Sequence, residues 1–327
     1  MGTPYLDIPD QPANYSEQTF IRWLRQKVQS ESPHLQMGIG DDAAILSVLP
    51  DEELVVATDM LLEGSCFRIH EAGPRRVGRK ALAVNLSDLA AMGARPLGCL
   101  VSLALPRDHG GPLACEIMEG ILEHAHFFSC PVIGGDTNSW RGPLAISITV
   151  LGAVQSGEAI RREGARPGDW LMVTGPLGGS ILGHHLDFLP RVREALQLVQ
   201  HVEIHAMIDI SDGLARDTHT LCEASACGAV LQASAIPLRP EAFRLNDLAS
   251  YAVPGLTALD HALGDGEDYE LLFAVTPEDG RKLLSRQVIP APQFFKVGEC
   301  VEKGIWIDCW GKISALPPHG WQHQLEA

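Results

Sequence analysis

Again and again in this chain an apolar run stops at an aspartate. Leu54-Val55-Val56-Ala57 ends in Thr58-Asp59, Val132-Ile133 in Gly134-Gly135-Asp136-Thr137, and Met207-Ile208 in Asp209-Ile210-Ser211-Asp212-Gly213. Gly38-Ile39-Gly40-Asp41-Asp42-Ala43-Ala44 sets two aspartates side by side in a glycine-rich stretch, and Asn85 and Asp88 interrupt the otherwise apolar segment Val77–Met92. An unpaired carboxylate beside a core is expensive. The fold must therefore deliver these ends either to solvent or to a shared polar edge. Taken singly, each Gly-Asp or Asp-Gly is also an ordinary turn, and Ser211 or Asp212 suits a helix N-cap. Asn85 and Asp88 resist that reading, because residues three apart share a helix face.

The intervening segments alternate between strand and helix patterns. Ser16 precedes a helical spacing of Phe20, Leu24 and Val28. Leu54–Thr58 reads as a buried strand, Val77–Met92 as a helix stopped by Gly93, and residues 112–126 as a second helix lying between strands at Leu97–Leu105 and Pro131–Ile133. Leu144–Leu151 closes this half as a strand. Gly152–Gly168 turns to Gly, Glu and Arg, the composition of a boundary. The expectation is an α/β chain of two domains, residues 1–153 and 154–327. The second restarts with a strand at Trp170–Thr174, a glycine turn at 175–179 and helical sequence to about Val199. A helix from Leu214 to Cys227, strands at Val230–Ala233 and Leu271–Val275, and a helix start at Thr276-Pro277-Glu278-Asp279 follow.

Charge narrows the chemistry. With 41 Asp and Glu against 25 Lys and Arg, the net charge is −16. No basic run offers a grip on nucleic acid or an anionic membrane. Met1–Asp7 lacks the basic and apolar parts of a secretory signal, so a cytoplasmic address is expected. The 8 cysteines form no Cys-x-x-Cys pair and read as free thiols. Several carboxylates at one sheet edge repel one another unless cations sit between them, and oxygen donors without His or Cys favour Mg²⁺. Clustered Mg²⁺ most often handles phosphates. The Walker and protein-kinase loops are absent; Gly175–Ser180 fits either a phosphate cradle or a structural turn, and Arg161-Arg162 either an anion contact or a solvated linker.

GIGDDAA, ATDML, GRKALAVNLSDLAAMGARP, VIGGDT, GARPGDWLMVTG, IDISDGL and GEDYELLF, in this order, resemble the thiamine-monophosphate kinase family of the aminoimidazole ribonucleotide synthetase-like superfamily. The resemblance implies a two-domain α/β (α+β) fold of mixed sheets flanked by helices, and a homodimer formed through the N-terminal sheets. It implies an N-terminal domain for metal, ATP and dimerisation, and a C-terminal domain that completes the ATP and substrate site. The implied reaction is ATP-dependent phosphorylation of thiamine monophosphate to thiamine diphosphate, by direct in-line transfer assisted by several Mg²⁺ ions. Asp42, Thr58, Asp59, Asp88, Asp136, Asp209 and Asp212 correspond to metal ligands; Gly135, Asp136, Arg162 and Ser211 to ATP contacts; Cys66, Glu267 and Trp321 to the acceptor side. Trp321 also offers an aromatic face suited to a cationic thiazolium. A phosphate monoester has its second pKa near 6, so no side-chain base is expected.

Three positions depart from the family pattern: Cys66 stands where histidine is common, Ala57 where a hydroxyl residue often precedes Thr58, and Asp187, in a short Leu177–Arg191 connection, where a basic residue is frequent. They bear on the acceptor. The alternatives are a superfamily enzyme with another acceptor and a catalytically silent Mg²⁺-nucleotide-binding protein.

Overall fold

The apolar segments become strands of two larger mixed sheets in the computed structural model, which describes residues 17–28, 33–39, 43–245, 247–248, 255–285, 289 and 293–322. The chain divides into one unit of residues 1–86 and 96–155 and another of residues 87–95 and 156–327. No helix among the described residues is long and apolar enough to cross a membrane.

In the first unit, α1 (Glu17–Lys27) precedes a small pair, β1 (Leu35–Met37) and β2 (Ile45–Leu46). Then come β3 (Glu52–Leu62), α2 (Ile69–Ala72), α3 (Pro74–Ala91), β4 (Arg95–Pro106), α4 (Gly110–Phe127), β5 (Val132–Trp140) and β6 (Ala145–Gln155). The sheet order is β3-β6-β4-β5, antiparallel between β3 and β6 and parallel between β4 and β5. The middle of α4 lies against α3 at glycines. A Cβ on Gly78 would lie 2.1 Å from the Ile117 carbonyl oxygen, and one on Gly120 2.0 Å from that of Arg75. The backbones touch, which buries Val77, Ala81, Leu82, Ile117 and Ile121 completely. Each fully buried aliphatic chain of this size contributes about 1.5–3 kcal/mol.

β3 departs from the buried strand that its apolar run suggests. Alternate residues point to opposite faces. Leu61 is buried, whereas Leu54 is 46% exposed, Val56 56%, Met60 63% and Leu62 44%. One face of this edge strand is therefore an uncovered apolar stripe.

The second unit contains β7 (Trp170–Val173), α5 (His184–Asp187), α6 (Val192–His201), β8 (Ile204–Asp209), α7 (Leu214–Ala224), β9 (Gly228–Gln232), α8 (Pro240–Leu245), α9 (Ala258–Gly264), β10 (Leu271–Val275), α10 (Pro277–Leu284), β11 (Phe295–Val301), β12 (Ile305–Cys309) and β13 (Lys312–Ala315). Its sheet order is β13-β12-β9-β11-β7-β10-β8, with β12 and β9 parallel. Val173, Leu231, Leu272, Ile208, Leu214 and Leu221 form the centre of its core. α10 starts as expected, with Thr276 accepting from the Asp279 N–H at 3.1 Å and Pro277 in the first turn. The helix expected to reach Val199 is instead broken: a single 3₁₀ turn at Ser180–Leu182, then α5, then α6 after Pro190. Gly183 at φ +124° and Pro190 explain the breaks, since neither suits a helix interior.

Candidate active site

In the first unit, Thr58 and Asp59 lie on opposite faces of β3. Thr58 shares the apolar stripe, where its hydroxyl donates to the Ile148 carbonyl at 3.0 Å and lies 3.0 Å from that of Thr149. Asp59 shares the face of Leu61, and its N–H donates to Asn85 Oδ1 of α3 at 3.0 Å. Asn85 is fully buried, and its amide donates to Ala81 O at 2.9 Å. The polar residue embedded in the apolar helix thus pins the strand at Asp59. Gly135 and Asp136 are exposed on β5 and paired with Val101 and Ser102 of β4. Gly135 has φ +155°, and a Cβ there would lie 1.9 Å from the Val101 carbonyl oxygen, so only glycine lets the strands close beside Asp136. A cavity of about 740 Å³ runs along this edge, with Leu100, Leu103 and Ile133 as apolar wall and Gly135 and Asp136 at its rim.

Cys66 lies in a tight turn after β3. Its N–H donates to the Leu62 carbonyl at 2.9 Å, and its sulfur lies 3.4 Å from the Leu62 N–H. Lys80, only 1% exposed, donates from Nζ to the Cys66 carbonyl at 2.9 Å. Asp42 lies outside the described residues.

In the second unit Asp209 ends β8, opposite Leu271 of β10, and is 4% exposed. The Ser87 hydroxyl, in the final turns of α3, donates to Asp209 Oδ2 at 2.7 Å. Asp88 is the next residue along that helix. After Asp209 the chain turns through Ser211 and Asp212, and two other segments are hydrogen-bonded to that turn. The Glu267 N–H donates to Ser211 O at 2.7 Å, and the Trp321 N–H to Asp212 O at 2.9 Å. Ser211, Asp212, Glu267 and Trp321 are therefore brought together, although 110 positions separate the first from the last. Glu267 and Tyr269 adopt left-handed φ of +54° and +50°, a conformation that costs non-glycine residues energy and that tight networks maintain. Arg162 is exposed and its backbone carbonyl accepts from Ser225 Oγ at 2.9 Å.

Some groups were not legible as parts of this region. Asp217 of α7, 3% exposed, accepts the N–H groups of Asp212 and Gly213 at 3.1 Å each. Burial, followed by the charges of Asp209 and Asp212, pushes its carboxyl up to about 8 against the pull of those two bonds. Its signal in the sequence was a charge on the same helical face as Leu214 and Leu221; that of Ser87 was a hydroxyl beside Asp88 in an apolar helix.

The glycine turn at 175–179 is a structural turn. The Gly178 N–H donates to both oxygens of Asp268, at 2.9 and 3.1 Å, and the Gly179 N–H to Asp265 at 3.1 Å. Two carboxylates, the fully buried Asp268 and the half-buried Asp265, take N–H groups that a phosphate would need. Beneath the turn, Arg191 binds Glu270 through Nε at 2.7 Å and Nη2 at 2.6 Å, and the Thr174 hydroxyl donates to the same carboxylate at 2.6 Å. Phe188 stacks on Tyr269 with ring centroids 4.1 Å apart. Burial raises the Asp268 carboxyl well above its usual range, opposed by Gly178 and Arg239, while burial and then Arg239 lower the His184 imidazole.

The donors in both units are oxygens, with no His or Cys among the ligand candidates. This set suits a hard divalent cation. Among the described residues no three His, Cys, Asp or Glu side chains converge as a ready-made cage.

Two family models match in succession along the chain. That of AIR synthase related protein, N-terminal domain, matches residues 40–154, and that of the C-terminal domain residues 166–305. The thiamine-monophosphate kinase of Rhodopirellula baltica is 40% identical over 317 residues, covering 94% of this chain and 97% of that protein. The crystal structure of thiamine-monophosphate kinase from Stenotrophomonas maltophilia superposes with a TM-score of 0.75 at 32% identity, covering 91% of this chain and 97% of that one. A structure of AaThiL complexed with AMPPCP and TMP gives a TM-score of 0.73 at 28% identity, covering 94% and 97%. With this likeness along nearly its whole length, the chain belongs to the thiamine-monophosphate kinase family, phosphotransferases built from paired AIR synthase-related domains.

Proposed function

We propose that this chain transfers the γ-phosphoryl group of ATP in line to the phosphate of thiamine monophosphate, giving thiamine diphosphate and ADP. The observation that carries this reading is the hydrogen-bonded junction of Ser211 and Asp212 with Glu267 and Trp321. It joins an oxygen-donor turn suited to a phosphate-bound Mg²⁺ to a carboxylate and an aromatic suited to a cationic heterocycle. The binding partners of AaThiL, AMPPCP and TMP, support the same pair of substrates.

In this reading Asp42, Thr58, Asp59, Asp88, Asp136 and Asp209 hold Mg²⁺ ions, and Asp212 a further one. Mg²⁺, when bound, would neutralise the anionic charge that otherwise keeps two phosphates apart. Gly135, Asp136, Arg162 and Ser211 contact ATP, the apolar wall of Leu100, Leu103 and Ile133 lies beside Gly135 to receive uncharged parts of the nucleotide, and Cys66, Glu267 and Trp321 face the acceptor. Residues 1–153 supply metal, ATP and dimer contacts; residues 154–327 complete the nucleotide and acceptor site. The acceptor phosphate is already largely dianionic at neutral pH, its second pKa being near 6. The protein's task is then positioning and charge, with no side chain taking a proton. Ser87, Asn85 and the backbone bonds to Ser211 and Asp212 serve that task by fixing the groups before substrates arrive. The exposed stripe Leu54, Val56, Met60 and Leu62 supports pairing of two copies through the first-unit sheets.

The test is direct: incubate pure protein with Mg²⁺, ATP and thiamine monophosphate and assay thiamine diphosphate. Asp88→Asn and Asp136→Asn should abolish turnover in folded protein. Absence of product from wild type that still binds ATP would overturn the acceptor, and wild-type rates in both variants would remove these aspartates from the site.

A further inference from the structure

Asp217 is a carboxylate with no part in the reaction just described, yet it sits 3% exposed directly behind the Ser211–Gly213 turn. Helix α7 has no side-chain N-cap, because glycine occupies that position. Asp217 reaches back instead, and one oxygen, Oδ2, accepts from Asp212 N and Gly213 N, each at 3.1 Å. Its own N–H donates to Gly213 O at 3.0 Å, which closes a ring of three bonds around the turn. From the other side the turn is held through carbonyls, Ser211 O by Glu267 and Asp212 O by Trp321. Asp217 thus holds the N–H side of the turn.

What the turn uses is an acceptor oxygen rather than a charge: an amide oxygen accepts the same two N–H groups, and burial together with Asp209 and Asp212 disfavours the charged form of the Asp217 carboxyl. Through this one oxygen Asp217 fixes the backbone at Asp212 and Gly213.

We infer that Asp217 is a positioning residue, which holds the Ser211–Asp212 turn in the geometry that binds the Mg²⁺-nucleotide, acting through two backbone N–H bonds and contacting no substrate. This rests on the nucleotide reading above. Partners that orient metal-binding groups typically change affinity or activity by about 10–100-fold when removed.

The experiment compares Asp217→Asn, which keeps an acceptor oxygen, with Asp217→Leu, similar in shape and without one, and with Asp217→Ala. Binding of AMPPCP in the presence of Mg²⁺ is measured by calorimetry, well below the melting temperature of each ligand-free variant, together with kcat and KM for ATP and for the acceptor. The expected result is a loss of about tenfold or more in affinity for Mg²⁺-AMPPCP in the Leu or Ala variant, with the acceptor KM moving less, and rescue to within about threefold by Asn. A lowered melting temperature with unchanged AMPPCP affinity would reduce Asp217 to a stabilising residue and overturn the inference. Equal loss in Asn and Leu would also overturn it, because charge rather than hydrogen bonding would then be the contribution. Failure of both Leu and Ala to fold would do the same. If wild type itself does not bind Mg²⁺-AMPPCP, the nucleotide reading fails; if it binds and the variants match it, only the role of Asp217 fails.

Discussion

Replacing Arg191 by methionine should destabilise the second unit strongly. Glu270 is 1% exposed, and Arg191 meets it in a two-pronged contact of 2.7 and 2.6 Å. Removing one partner of a buried pair leaves an uncompensated charge, which typically costs about 3–5 kcal/mol. Here the Thr174 hydroxyl remains bonded at 2.6 Å and Arg239 stays 3.8 Å away, so part of the charge is still answered. The loss should then fall at the low end, about 3 kcal/mol. For a unit of this size about 2–4 °C of melting temperature accompanies each kcal/mol. Calorimetry should show the second-unit transition falling by roughly 6–12 °C. Glu270→Gln in the same background removes the stranded charge, so the double variant should melt above Arg191→Met alone, with a coupling of about 2 kcal/mol or more in the mutant cycle. A shift under about 2 °C, or simple additivity, would refute the argument that this pair is a buried, mutually dependent clamp beneath the loop carrying Glu267.

Gly135→Ala should force β4 and β5 apart beside Asp136, costing about 1–3 kcal/mol through backbone conformation alone and raising KM for ATP; unchanged melting and unchanged KM would show that the strands adapt. His124 is held neutral, its imidazole lowered to about 4 by burial and then by Arg79. Between the ordinary value near 6.5 and 4 the unfolded chain takes up a proton that the folded chain refuses, so acid should remove up to about 3 kcal/mol that His124→Leu does not lose. A wild-type-minus-variant difference in unfolding free energy that stays flat from pH 7 to 4 would contradict this. Met60→Glu on the exposed stripe of β3 should yield a folded monomer in sedimentation, and a variant that stays dimeric would place the interface elsewhere.

How far the sequence could be read depended on whether a signal was local. The Thr276-Pro277 helix start was readable because capping involves residues three apart. So was the strand character of Leu54–Thr58, though not its exposure: an apolar run specifies that a strand forms, while the partner covering each face lies elsewhere in the chain. Pro190 and Gly183 broke a helix that apolar spacing alone favoured, local chemistry outweighing periodicity.

The alternation of strand and helix runs and the family motifs follow from the sequence itself, since strand runs, glycine turns and ordered motifs are written in neighbouring residues. The junction of Asp212 with Trp321, the Ser87–Asp209 bond and the Arg191–Glu270 clamp do not. Their partners stand tens of residues or more apart, and only the closing of the chain sets their separations. The glycine turn at 175–179 shows the difference most plainly. Its composition allowed a phosphate cradle or a structural bend equally, and the choice fell to Asp265 and Asp268, nearly ninety residues away, whose carboxylates occupy the N–H groups of Gly178 and Gly179. Backbone donors look alike in sequence, and what they bind is decided by which acceptor the tertiary fold buries against them.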